Sequence, residues 1–94
     1  MGYSSISLWT VKDWTPAMED TARSKFVPMI MAVGADRVRM VRTGDLSFAV
    51  ITDYADEAKA MAAQEKIAQI RSQASGDLDM TLASASSGAV FAQG

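Results

Sequence analysis

A few aromatic, polar and charged side chains on predicted strands are the candidate functional groups of this chain. Trp9 can stack on a planar aromatic molecule while its indole nitrogen donates a hydrogen bond, or it can pack against a second subunit. Arg39 can neutralise an enolate or a carboxylate, or it can pair with Asp79 or with an acidic residue of a second subunit. The candidate ligand-binding residues are Trp9, Arg39, Asp79, Ser7 and Tyr54.

Hydroxyl groups complete this set. Tyr54 and Tyr3 can each donate a hydrogen bond to a ligand, but each stands at a strand end, where tyrosine is commonly structural. Ser7 can act as a nucleophile only beside a general base, and without histidine that base must be a carboxylate or a lysine. The sequence shows no such constellation, so the catalytic residues stay unassigned.

The absent residue types narrow the chemistry further. The chain has no cysteine, no histidine and no asparagine, which excludes disulfides, cysteine nucleophiles, histidine acid–base catalysis and histidine-ligated haem within it. Asp53, Asp56 and Glu57 cluster at a predicted helix start, where capping explains them. We therefore expect neither a metal site nor a cofactor.

Length and charge indicate one small domain spanning residues 1–94. The chain has 94 residues, 49% of them hydrophobic, and its net charge is −2 with only a spaced basic trio in the first hairpin strand. This pattern disfavours nucleic acid and anionic membranes as partners. The longest apolar run, residues 27–33, is too short to span a bilayer, and no basic segment opens a signal peptide, so we expect a cytoplasmic protein.

Alternating apolar residues predict four strands, and the stretch of residues 37–54 organises them. It reads as a hairpin whose turn, Thr43-Gly44-Asp45, contains a glycine able to adopt positive φ. Tyr3–Val11 is a first strand and residues 78–83 are a fourth. The tail, residues 84–94, is small and polar except for Ala89-Val90-Phe91, and that trio is either a frayed end or a short strand that pairs elsewhere.

Two helices separate these strands. Thr15-Pro16 is typical of a helix start, and Pro28 predicts a kink or split near Val27 before Gly34 ends the helix. Asp53 or Asp56 caps a second, alanine-rich helix that ends at Gly76. The apolar stripes of the two helices comprise Met18, Ala22, Phe26, Met29 and Val33, and Ala60, Ala63, Ile67, Ile70 and Ala74.

The order β-α-β-β-α-β predicts an α+β, ferredoxin-like fold with both helices on one face of a four-stranded antiparallel sheet. We expect Ile6 and Leu8 under the helices, with Phe48, Val50 and other apolar strand residues. The opposite face then carries Ser7, Trp9, Val11, Arg39, Val41, Ile51 and Asp79. Such a half-apolar face exceeds what a monomer usually exposes, so we expect a second copy to cover it and close a barrel.

With these elements in place, the chain resembles the dimeric α+β barrel superfamily, in its antibiotic-biosynthesis-monooxygenase-like branch. The resemblance rests on the opening strand SISLW, the helix end MIMAVGADRV, the hairpin VRMVRTGDLSFAVITDYAD and the alanine-rich helix. It implies a ligand cavity between helices and sheet or inside the barrel. Relatives of this kind oxidise polycyclic phenols without a cofactor, degrade haem, isomerise lactones or have no known reaction. The haem-degrading pattern needs asparagine and histidine, which this chain lacks.

Two functions remain open. The chain is either a non-catalytic homodimer that binds a small apolar or aromatic molecule or simply assembles, or a cofactor-independent monooxygenase-like or isomerase-like enzyme acting on an aromatic or quinonoid substrate. The enzyme hypothesis assigns stacking to Trp9 and charge neutralisation to Arg39, but it lacks an acid–base group.

Overall fold

The computed structural model describes residues 2–94 and confirms the predicted fold. All strand pairs are antiparallel, and the sheet order is β2-β3-β1-β4. The helices all lie on one face of this sheet. The elements are β1 (Tyr3–Val11), α1 (Pro16–Thr21), a π-helical segment (Ala22–Phe26), α2 (Val27–Ala32), β2 (Arg37–Gly44), β3 (Ser47–Tyr54), α3 (Glu57–Asp77) and β4 (Met80–Ala89).

The first helix is divided as Pro28 predicts. The Thr15 hydroxyl caps α1 by accepting a hydrogen bond from the Met18 amide at 3.1 Å. The π-helical segment follows and ends immediately before Val27. Proline cannot donate to the carbonyl four residues earlier and clashes with it, so the widened turn relieves a conflict that a regular helix would carry through Ser24.

The second helix, α3, begins at the predicted cap and ends later than predicted. The Asp56 carboxylate, rather than that of Asp53, accepts from the Lys59 amide at 2.9 Å. The prediction that Gly76 stops the helix is wrong, because α3 continues to Asp77 and the chain turns at Asp79, whose φ is 52°. Helical hydrogen bonding persists through the glycine, and the left-handed residue three positions later ends it.

The hairpin is present, but the reason for its glycine differs from the prediction. Gly44 closes strand β2 without a positive φ, and Asp45 and Leu46 make the turn. The pairing register shifts between Arg42 and Gly44. A Cβ at Gly44 would lie 2.6 Å from the Ser47 hydroxyl oxygen, so the position is small because of a close approach.

Strand β4 lies further along the chain than predicted. It starts at Met80 and uses part of the tail, while its register with β1 shifts between Leu8 and Trp9. The Val90 amide then donates to the Gly2 carbonyl oxygen at 2.9 Å. β4 itself therefore continues through the tail to Ala89, and residues 90–94 follow outside any strand, so Ala89-Val90-Phe91 does not form a separate short strand.

The two faces of β1 are exchanged relative to the prediction. Trp9 is 3% exposed beneath the helices, whereas Ile6 and Leu8 are 44% and 43% exposed on the opposite face. Register explains the exchange, because Trp9 pairs with Phe48 and directly opposed residues of neighbouring strands lie on the same side of a sheet. Within residues 2–94 no helix is long and apolar enough to cross a membrane.

Candidate ligand-binding site

A small cavity lies between the helices and the sheet, and we call it the inner cavity. It has a volume of about 50 Å³ and is lined mainly by buried apolar side chains from every layer of the fold. The sheet, the divided first helix and α3 all contribute lining residues. Its principal apolar lining residues are Trp9, Phe26, Ile30, Phe48, Val50 and Ile70.

Trp9 forms one wall of the inner cavity and is held from two sides. Its indole nitrogen donates a 2.8 Å hydrogen bond to the hydroxyl oxygen of Ser7, which lies two residues earlier on the same face of β1. Its ring is nearly parallel to that of Phe48, with 6.5 Å between centroids and 12° between planes. The polar end of the indole is thus satisfied inside the protein, and the rest of the ring offers an apolar surface.

The inner cavity has a polar end at Tyr54 and Arg71. Burial raises the pKa of the Tyr54 phenol above its ordinary value, against the opposing effect of the Arg71 charge, so the phenol stays protonated at neutral pH. The Arg71 guanidinium is half-buried, and its Nη2 atom lies 3.5 Å from the Ser5 hydroxyl oxygen. A neutral hydroxyl and a cationic fork therefore stand side by side at this end.

A larger cleft adjoins this polar end, and we call it the mouth cleft. Its volume is about 340 Å³, and it shares Ser5, Tyr54, Ile67 and Arg71 with the inner cavity. The inner cavity alone is below the roughly 300–1,000 Å³ typical of ligand pockets, whereas the two spaces together fall within that range. A molecule can therefore place most of its bulk in the mouth cleft and a smaller apolar part beside Trp9.

The structure brings together three of the five candidate residues. Trp9, Ser7 and Tyr54 all line the inner cavity. Arg39 lies on the opposite sheet face, paired in register with Ile51, and Asp79 lies at the turn before β4, where its carboxylate is 3.5 Å from the Lys12 ammonium. The expected meeting of Trp9, Arg39 and Asp79 on one face is therefore wrong, because β1 presents Trp9 to the helices.

Arg71 is the charged residue of this site that the sequence analysis missed. Basic and acidic residues alternate along this part of the second helix, a pattern that is typical of a solvated face. A signal was nevertheless present, since Arg71 lies four residues after Ile67 and three before Ala74, two members of the apolar stripe. Spacing of this kind places a long side chain at the margin of the buried face.

The opposite sheet face, which we call the outer face, is still half apolar. Register aligns Ile6 with Ile51 and Leu8 with Ala49, and Val41 lies beside Ala49 on the next strand. Ile6, Leu8 and Val41 are each more than two-fifths exposed. The expectation of an apolar outer face is thus met by different residues of β1 from those predicted.

Charged groups close one end of the outer face. Asp53 accepts hydrogen bonds from the Ser4 hydroxyl at 2.5 Å and from the Arg37 Nε at 3.1 Å. The Ser4 bond, followed by the bond and charge of Arg37 and the charge of Arg39, lowers the Asp53 pKa despite partial desolvation. Among residues 2–94, no group of three or more acidic, histidine or cysteine side chains forms a cluster able to hold a metal ion.

Solved structures share this fold at low sequence identity. SnoaB, a cofactor-independent oxygenase from Streptomyces nogalater, superposes with a TM-score of 0.72 at 16% identity, over 98% of this chain and 95% of that one. A variant of SnoaB with an asparagine replaced by alanine gives a TM-score of 0.67 at 15% identity, covering 99% and 94% of the two chains.

A third structure, the NE2512 protein of unknown function from Nitrosomonas europaea, has a TM-score of 0.66 at 20% identity and covers 100% of this chain and 94% of its own. No protein-family model and no curated protein sequence matches the chain. Similarity at this identity establishes the fold and leaves the activity open. The chain thus shares its α+β fold with these solved structures, and the predicted fold is confirmed.

Proposed function

We propose that the protein binds a small aromatic or apolar molecule between its helices and its sheet. The observation that carries this proposal is that the inner cavity and the mouth cleft adjoin through four shared lining residues, so that a buried apolar end lies next to a polar opening. Ligand pockets in proteins combine a mostly apolar lining with a few convergent polar groups, and this space has that composition.

The chemistry of the two ends suggests the orientation of the ligand. The Trp9 indole N–H is already used by Ser7, so the buried end favours an apolar or aromatic part of the ligand. Arg71 and the protonated phenol of Tyr54 favour an oxygen acceptor, neutral or anionic, at the mouth. A planar ring carrying one hydroxyl, carbonyl or acidic oxygen fits both ends.

Tryptophan emission provides the test, since the chain has two tryptophans and only Trp9 lines the inner cavity. The Trp14→Phe variant is titrated with flavins, haem, quinones and polycyclic phenols. We expect saturable quenching of Trp9 by one of these classes, weakened about tenfold in Trp14→Phe/Arg71→Gln for ligands with an acceptor oxygen. Lys66→Gln, on the exposed part of α3, is the matched control for charge. Absence of a saturable response from every class would contradict the proposal.

We propose further that a second copy of the chain covers the outer face. The support is the exposed set of Ile6, Leu8 and Val41, which register places side by side with Ile51. A contiguous exposed apolar patch on a sheet is typical of a protein–protein contact. A twofold-symmetric contact would also bring Arg39 of each copy near the partner's surface. Sedimentation at micromolar concentration should give the mass of two chains, and a mass of one chain would remove this proposal.

The second candidate function is that of an oxygenase-like or isomerase-like enzyme on an aromatic or quinonoid substrate. The fold shared with a cofactor-independent oxygenase favours it. Here Arg71, rather than Arg39, stands where it can stabilise negative charge on a substrate oxygen. Tyr54, with its raised pKa, can donate a proton but is poorly suited to remove one. Oxygen consumption on adding any ligand that quenches Trp9, lost in Arg71→Gln, would support this activity.

A further inference from the structure

We infer that a second ligand site, separate from the inner cavity, binds a small planar aromatic carboxylate between the hairpin and the first helix. We call this space the Trp14 cleft. Its volume is about 310 Å³, within the range typical of ligand pockets. The residues on which the inference rests are Trp14, Glu19, Arg23, Met40, Arg42 and Phe48.

An aromatic wall and an apolar floor shape the Trp14 cleft. Trp14 is half-buried, and its ring meets that of Phe48 edge to face, with 5.9 Å between centroids and 79° between planes. The indole nitrogen donates to a Glu19 carboxylate oxygen at 2.5 Å, which fixes the ring orientation. Met40 and Phe48 form the floor. A planar apolar group can therefore lie against this floor, beside a tryptophan ring that is already oriented.

Arg42 supplies the positive charge that the ligand would meet. Its guanidinium carbon lies 4.2 Å from the centre of the Trp14 ring. Its Nε and Nη2 atoms donate to the carbonyl oxygens of Gly44 and Asp45 at 3.1 and 2.9 Å. A guanidinium has five N–H donors, so others stay available on a group that is already oriented by its contacts.

The charge of Arg42 is not compensated by an ion pair, whereas the charge of Arg23, the other arginine of the cleft, is compensated. Arg23 lies 3.0 Å from the Asp20 carboxylate and 4.0 Å from that of Glu19. Across residues 2–94, the ion pairs within 4.0 Å do not include Arg42. An incoming carboxylate therefore pairs with Arg42. Because the Arg42 guanidinium stacks on the Trp14 ring, this pairing places the carboxylate at the edge of the aromatic wall.

Phe48 lines both the Trp14 cleft and the inner cavity, as Ala22 and Met40 do, but each space has its own tryptophan. One tryptophan lies on each side of Phe48, since Phe48 stacks on Trp9 and meets Trp14 edge to face. The two sites therefore have separate fluorescent reporters. Trp9→Phe leaves Trp14 to report on the cleft, and Trp14→Phe leaves Trp9 to report on the cavity, so one proposal can fail while the other stands.

The test uses 2-naphthoate as the probe and 2-naphthamide as its neutral match, titrated into the Trp9→Phe variant. We expect saturable quenching of Trp14 by 2-naphthoate and affinity about tenfold lower for 2-naphthamide. Adding Arg42→Gln should lower the 2-naphthoate affinity about tenfold, and Arg42→Lys should restore it only in part because lysine lacks the planar fork. Arg71→Gln, at the mouth cleft, should leave it unchanged.

Three results would overturn the inference. They are no saturable response of Trp14, equal affinity for the charged and neutral probes, and full affinity in Arg42→Gln. A response of Trp9 alone would place the probe in the inner cavity, which supports the proposed function and contradicts the second site. Arg42 also donates hydrogen bonds to the hairpin turn, so Arg42→Gln could lower the thermal unfolding temperature. In that case Arg42→Lys is used instead. The inference then requires that Arg42→Lys bind 2-naphthoate more weakly and bind 2-naphthamide with unchanged affinity.

Discussion

The two faces of this sheet have similar apolar content and different surroundings. The inner face packs Trp9, Phe48 and Val50 beneath helices, and the outer face presents Ile6, Leu8 and Val41 to solvent. Composition does not distinguish them, because β1 carries large apolar residues at both alternating sets of positions. The difference between the faces is that the chain's own helices bury one of them and leave the other exposed.

The largest expected difference is between two adjacent residues of β1. Trp9→Ala removes a buried ring that contacts Phe48, so we expect it to lower the free energy of unfolding by about 3–5 kcal/mol. Leu8→Ala should cost less than about 1 kcal/mol at concentrations where the chain is monomeric, since Leu8 is 43% exposed. Urea unfolding measures both variants. Equal losses would contradict the assignment of the two faces.

The outer face should control assembly. Ile6→Lys places a charge in the middle of the apolar patch, and we expect it to weaken self-association by more than about a hundredfold because an unpaired charge would be buried. Met61→Lys is the matched control, since Met61 is 56% exposed on α3, on the opposite side of the sheet from the apolar patch. Sedimentation velocity over a concentration series gives the masses, and a dimer that survives Ile6→Lys as well as Met61→Lys would be inconsistent with the outer-face contact.

A smaller effect separates a serine and a threonine on opposite faces of the same strand. Ser7→Ala leaves the buried Trp9 indole N–H without its acceptor, so we expect a loss of about 1–3 kcal/mol. Thr10→Ala, at an exposed position of β1 that donates no hydrogen bond from its side chain among the described contacts, should stay within about 0.5 kcal/mol. Near-ultraviolet circular dichroism of Trp9 should change only for Ser7→Ala, and a Ser7→Ala protein as stable as wild type would show that the bond contributes little.

The sequence could predict the fold, because the alternating runs, the Thr15 cap and the proline in the first helix are local signals. It could not assign the faces of β1, because either alternating set supplies an apolar face and only the pairing with Phe48 decides between them. The site was accordingly half predicted. Ser7, Trp9 and Tyr54 line one cavity, but the cation that lines it with them is Arg71 rather than the predicted Arg39.

The smallest expected effect is a pH dependence at the end of the outer face. Because the folded protein holds the Asp53 pKa below its ordinary value of 3.8, the stabilisation by Ser4 and Arg37 is fully present above that value. It is lost as the pH falls below 3.8 towards the folded-state pKa. Asp53→Asn should flatten this part of the curve of unfolding free energy against pH, because the variant has no carboxylate to titrate at this position. Parallel curves for Asp53→Asn and wild type would contradict this.

The most direct test of the division between the faces is to compare ligand binding in the assembled and the dissociated protein. Trp9 emission is titrated with the ligand class that quenches it, in Trp14→Phe and in Trp14→Phe/Ile6→Lys. If the ligand lies between helices and sheet, its affinity should change by less than about threefold when assembly is lost, because Ile6 faces away from the inner cavity. Loss of the Trp9 response together with the dimer would place the ligand between the two copies and contradict the account.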